Sequence, residues 1–83
     1  MKKSDALSAS MKAAQSILHI FVKYFRCRAY YVLQINSIYF AGQEYGLHHD
    51  AISSGLEFAI QQGWIEIVDL TSYRLTQKGF DTV

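Results

Sequence analysis

Hydrophobic and polar positions along the first third of the chain follow helical spacing. Leu7, Met11, Ala14, Leu18, Phe21 and Phe25 are separated by steps of 4, 3, 4, 3 and 4, the repeat that keeps side chains on one face of a helix. Ile17, Ile20 and Val22 widen that stripe. The pattern predicts a long helix 1 over 5–28. The next stretch, Tyr30 to Ile35, is rich in strand formers and reads either as a short strand or as the start of the second helix. Asn36 or Ser37 offers an N-cap, and Ile38, Ala41 and Tyr45 then fall at helical steps, so helix 2 is expected over 37–45 with Gly46 as its C-cap. Asp50 is expected to cap helix 3 over 50–62, whose apolar stripe is Ile52, Leu56, Ala59 and Ile60 and whose end is Gly63. Alternation of Ile65 and Ile67 around Glu66, a loop at Asp69 to Ser72, and a return through Tyr73-Arg74-Leu75 predict a hairpin over 64–76. Thr76 is placed to cap a last short turn.

The expected fold class is therefore mainly α with a small antiparallel β-hairpin, in one domain of 83 residues. Two stretches of this pattern are more specific. Ser54-Gly55-Leu56-Glu57-Phe58-Ala59-Ile60-Gln61-Gln62-Gly63-Trp64-Ile65 resembles the third helix of winged-helix domains running through its terminal glycine into the first wing strand. Tyr73-Arg74-Leu75-Thr76-Gln77-Lys78-Gly79-Phe80 resembles the returning wing strand and the turn after it in small bacterial or phage winged helices. The resemblance covers about half the chain, Ile38 to Phe80. It implies a winged helix-turn-helix with an extended first helix, and a small DNA-binding transcriptional regulator whose third helix enters a major groove while the wing touches the backbone. Carried onto this chain, that mode uses Ser53, Ser54, Gln61 and Arg74, helped by the basic residues of helix 1.

Charge alters the picture. The net value is +1, but residues 1–41 hold Lys2, Lys3, Lys12, Lys23, Arg26 and Arg28 against Asp5, a formal +5. Residues 42–83 hold Arg74 and Lys78 against Glu44, Asp50, Glu57, Glu66, Asp69 and Asp81, a formal −4. No Lys or Arg lies between Gly42 and Tyr73, although DNA binding draws much of its affinity from cations beside phosphates. Winged helices also bind proteins. The acidic helix 3, with Glu57 and the aromatics Phe58 and Tyr73, fits a second class: a protein-binding module that docks on a basic surface, as an inhibitor or an adaptor on a nucleic-acid-handling complex. Phe58 is expected either to pack under helix 1 or to anchor a partner.

The run Lys23-Tyr24-Phe25-Arg26-Cys27-Arg28-Ala29-Tyr30-Tyr31 is the densest basic and aromatic cluster. It reads either as a patch for phosphate or an acidic partner, with tyrosines free to stack, or as cations favouring a helix C-terminus with the aromatics in the core. The near-heptad stripe of Leu7, Met11, Ala14, Leu18, Phe21 and Phe25 reads either as a homodimer seam or as intramolecular packing; the excess apolar surface of so small a chain favours the homodimer.

Catalytic chemistry finds no foothold in the pattern. His48-His49-Asp50 reads as a helix start and not as a metal site, since adjacent histidines rarely address one ion. There is no glycine-rich phosphate loop, no nucleophile elbow and no carboxylate pair, so neither an enzyme nor a cofactor or metal is expected. One cysteine, Cys27, makes no internal disulfide and reads as a packed thiol. With no long apolar run to cross a bilayer or serve as a signal sequence, the expectation is a soluble, unprocessed cytoplasmic protein.

Overall fold

The computed structural model describes the backbone from Lys2 to Val83 and the side chains from Ala9 onward. The chain is mainly helical with a small three-stranded antiparallel sheet. Helix α1 spans Lys2–His19 and continues without interruption as a π-helical segment, Ile20–Tyr24. Strand β1 is Val32–Gln34, followed directly by α2, Ile35–Glu44, and then α3, His49–Gln61. Strands β2, Ile65–Asp69, and β3, Ser72–Leu75, form the hairpin, and α4, Gln77–Thr82, closes the described chain. β3 is the central strand, in the order β1-β3-β2.

The core lies where α1, α2, α3 and one face of the sheet meet. Ala14, Ile17, Leu18 and Phe21 come from the first helix, Ile38 from α2, Ile52, Leu56 and Ala59 from α3, and Ile65 and Leu75 from the hairpin. Ile17, Ile20 and Phe21 have no exposed surface at all. The widened apolar stripe of helix 1 therefore serves one core rather than two. This corrects the dimer seam. Ala14, Leu18 and Phe21 are sealed inside the chain's own core and are not free to face a second copy. Of the remaining seam positions, Met11 is exposed, Phe25 packs half-buried against the core, and the Leu7 side chain lies outside the described residues.

α1 and α3 meet at Gly55. A Cβ built on Gly55 would stand 2.8 Å from Ile17 Cδ1 and 2.9 Å from both the carbonyl carbon and Cβ of Ala13. Phe58, one turn further along α3, is half-buried against the core, with its ring 5.8 Å from that of Trp64.

Three boundaries depart from the sequence reading. Helical structure ends at Tyr24 and not Arg28, because Arg26 adopts a left-handed backbone with φ 58°. The Phe25 N–H donates to the Ile20 carbonyl at 3.0 Å, and the Cys27 N–H folds back to the Phe21 carbonyl at 2.7 Å. The Tyr30–Ile35 stretch resolves into both of its alternatives, with β1 pairing to β3 before α2 begins at Ile35. Neither Asn36 nor Ser37 is the cap, since Gln34 holds that position without a side-chain hydrogen bond. Asp50 is likewise not the cap of α3. His48 is, and Asp50 sits in the first turn, where its charge favours the positive end of the helix dipole.

Other local expectations match. Gly46 and Gly63 take φ of 73° and 77° just beyond α2 and α3. Thr76 Oγ1 accepts from the Gly79 N–H at 3.0 Å and donates to the Gly63 and Trp64 carbonyls at 2.6 and 2.9 Å. One hydroxyl thus ties α4, the end of α3 and the base of the hairpin together.

Candidate functional site

The pleat of the hairpin decides which side chains join α3. Ile65 pairs with Leu75 and Ile67 with Tyr73, while Glu66 pairs with Arg74. Successive strand residues face opposite ways. Ile67 and Tyr73 therefore share the face turned to α3, and Glu66 and Arg74 the other. Between that inner face and the helices runs an open cleft of ≈ 290 Å³. Ser53, Leu56, Glu57 and Ile60 of α3 form one wall. Ile35 and Tyr39 of α2, with Ile67 and Tyr73 of the hairpin, form the other. Ile67 is 60% exposed, an apolar side chain in contact with water at the mouth. Tyr39 is held in place by stacking on His49, with ring centroids 4.4 Å apart and planes 11° from parallel. The carboxylate of Glu57 is the one charged group lining this cleft.

The sequence-predicted residues divide among four places. Ser53, Glu57 and Tyr73 meet in the cleft. Ser54 and Gln61 turn towards the first helix, where they line a shallow depression of ≈ 160 Å³ with Ser10, Phe58 and Glu57. Arg74 lies on the opposite face of the sheet, bridged to Glu66 at 3.5 Å. This separates it from Ser53, Ser54 and Gln61, the set it was expected to join. Lys23, Arg26 and Arg28 are exposed where the first helix ends, beside the base of the hairpin, since the neighbouring Tyr30 N–H donates to the Leu75 carbonyl at 2.6 Å.

Sequence reasoning missed Tyr39, Ile60 and Ile67 as lining residues. The alternation that marks Ile65 as core also places Ile67 on the same face, but only the end of α3 reveals that its side chain is left uncovered. The polar residues of α3, His49, Asp50, Ser53, Ser54, Glu57 and Gln61, are all exposed, as is Gln62 at its C-cap.

Among the described residues, titration is shifted at Asp69 and Cys27. Asp69 at the hairpin turn accepts from the Thr71 N–H at 2.9 Å and from its hydroxyl at 3.3 Å. The backbone bond, chiefly, holds its carboxyl below the usual range. Burial pushes the Cys27 thiol up, which makes it a poor nucleophile. Among the described residues no three His, Cys, Asp or Glu side chains gather at metal-binding distance, and no helix is long and apolar enough to cross a membrane. No family model matches the chain, and neither a curated protein nor a solved structure matches it.

Proposed function

We propose that the chain is a winged-helix binding module whose α3 and hairpin dock on a basic surface of a protein partner, as an inhibitor or adaptor within a nucleic-acid-handling complex. The winged-helix reading is supported by the order helix, strand, helix, helix, strand, strand and by the first strand pairing with the last. The observation that carries the docking reading is the cleft between α3 and the hairpin. Its walls are apolar and aromatic, its one charge is Glu57, and no Lys or Arg occurs from 43 to 72. Such a surface suits an apolar anchor flanked by cations and not a phosphate backbone. A photo-crosslinker at Ser53 tests it in cells of the source organism. Crosslinks to one protein, through a segment rich in Lys or Arg and lost in the Glu57→Lys variant, are expected. Crosslinks to DNA alone overturn the reading.

A second reading, a DNA-binding transcriptional regulator that inserts α3 into a major groove, is favoured by the exposure of Ser53, Ser54 and Gln61. A salt titration against duplex DNA decides it. Affinity that falls steeply with salt and is lost on Gln61→Glu supports the regulator, and absence of binding at low salt removes it. A homodimer belongs to either reading only through surfaces other than the helix 1 stripe, and a monomeric mass in light scattering at micromolar concentration removes it.

A further inference from the structure

We propose that the segment from Lys23 to Tyr31 is a second, independent interaction surface: a stacking and phosphate-binding platform for single-stranded nucleic acid. It lies at the other end of the sheet from the hairpin tip and shares no residue with the α3 cleft.

Four observations converge on it. The first is composition and exposure. Lys23, Arg26 and Arg28 are all exposed, and among the described residues none is in an ion pair. No Asp or Glu occurs from 6 to 43, so the segment and the residues flanking it in the chain carry no acid. The second is the state of the aromatics. Tyr30 is 61% exposed, Tyr31 54% and Tyr24 39%. A core role for these three rings is therefore not what the fold uses. Arg26 and Arg28, too, lie past the helix end at Tyr24, so their placement is not accounted for by the helix dipole alone.

The third observation is that the segment is fixed rather than loose. Cys27 is buried and anchors it to the core. The Tyr31 N–H donates to the Arg28 carbonyl at 3.2 Å, and the Leu75 N–H donates to the Tyr31 carbonyl at 2.9 Å. The first closes a turn within the segment, and the second, with the Tyr30 N–H bond to the Leu75 carbonyl, extends the β1-β3 ladder and holds the two tyrosines at its end. The fourth is backbone conformation. Arg26 and Tyr30 are the non-glycine residues with positive φ, 58° and 75°. Glycine adopts that region without steric cost, whereas Arg and Tyr do not. Strained residues of this kind cluster at functional sites. Here the two side chains kept at unfavourable backbone positions belong to the types that grip phosphate and stack on bases.

Exposed rings beside cations match single strands better than duplexes, because only unpaired bases offer their faces to a stacking partner. A duplex or an acidic peptide would use the three cations and leave the tyrosines without a role.

The test uses fluorescence anisotropy of a labelled twelve-nucleotide oligo-dT and of a twelve-base-pair duplex, across a salt series. With three cations engaged, the slope of log affinity against log salt is expected to be about −2 for the single strand. Oligo-dT should bind tighter than the duplex. Arg26→Gly and Tyr30→Gly each suit the left-handed backbone, so both should fold, as far-ultraviolet circular dichroism will show. Each should weaken oligo-dT binding by about fivefold or more, and Tyr30→Gly combined with Tyr31→Ser by about 25-fold or more. Equal affinity for duplex and single strand, with no loss in the tyrosine variants, would reduce the segment to a generic polyanion patch and overturn the proposal. So would the absence of oligo-dT binding by the parent protein at low salt.

Discussion

Replacing Gly55 with Ala is the sharpest probe of how the first helix is seated. On helix propensity alone the change stabilises α3 by about 1 kcal/mol. The packing opposes it. The new Cβ would lie 2.9 Å from the carbonyl carbon of Ala13, against 3.4–4 Å for ordinary contact, so α1 and α3 must separate by roughly 0.5 Å or more. Backbone atoms set this limit, and no side-chain rotation relieves it. A gap of that size forfeits about a quarter or more of each affected dispersion contact, and these two helices supply Ala14, Ile17, Ile52, Leu56 and Ala59 to one cluster. Overpacking of this type costs about 1–3 kcal/mol. The net expectation after the propensity gain is a loss of up to about 2 kcal/mol, which lowers Tm by up to about 15 °C in a domain of this size. Urea unfolding read by circular dichroism should show a lower midpoint with an unchanged slope. Gly42→Ala is the control. Its Cβ would meet Ile52 Cδ1 at 2.6 Å, but that atom ends a flexible side chain that can turn away, so the penalty should be clearly smaller. A Gly55→Ala protein more stable than the parent by the full propensity gain of about 1 kcal/mol would refute the close α1–α3 approach.

Other expectations follow from single contacts. Thr76→Val removes a hydroxyl that accepts from Gly79 and donates to the Gly63 and Trp64 carbonyls; it should cost about 1–2 kcal/mol in chemical denaturation. Cys27, buried and with its thiol pushed up, should react with iodoacetamide at neutral pH far more slowly than in the urea-unfolded chain, as mass spectrometry will read. The Asp69 carboxyl, held low mainly by the Thr71 N–H, should titrate by NMR below an ordinary aspartate. Its folded value is depressed, so its contribution to stability is present above the unfolded value and is lost as pH falls through the folded one. Asp69→Ala should remove that acid-side dependence.

The buried face of helix 1 was legible because its spacing is regular from Ala14 to Phe21. Its end was not. No glycine or proline marks the stop, and Arg26 supplies a left-handed turn that sequence assigns to other residue types. Asn36 and Ser37 have the chemistry of caps, yet the Ile35 N–H donates to the Thr71 carbonyl at 2.7 Å, so tertiary pairing carried the chain from strand into helix before local capping could act. Gly46, Gly63 and Thr76 were readable because their roles depend on neighbours within a few residues, or on a backbone conformation only glycine adopts freely. For the site, the polar face of α3 followed from its period. The direction of Arg74 did not, because it depends on the hairpin register and on Glu66 across the strand. The dimer seam failed for a related reason. Spacing identifies a buried face but does not say whether the burial is within the chain or between chains.

Strand β2 ends the sheet on one side, so one row of its backbone amides and carbonyls has no strand beside it. Ile67 and Val68 are exposed along it and Leu70, at 96%, in the turn just beyond it, a composition that invites neighbouring molecules to add strands and grow fibrils. Two devices oppose this. The register shifts between Ile67 and Asp69, which bends the edge, and Glu66 and Asp69 place like charges where two such edges would meet. The first is fixed by the fold, but the second depends on ionised carboxylates. Neutralising both side chains, as in Glu66→Gln with Asp69→Asn, therefore leaves the bulge as the one remaining guard of this edge and should raise its tendency to add strands from neighbouring molecules.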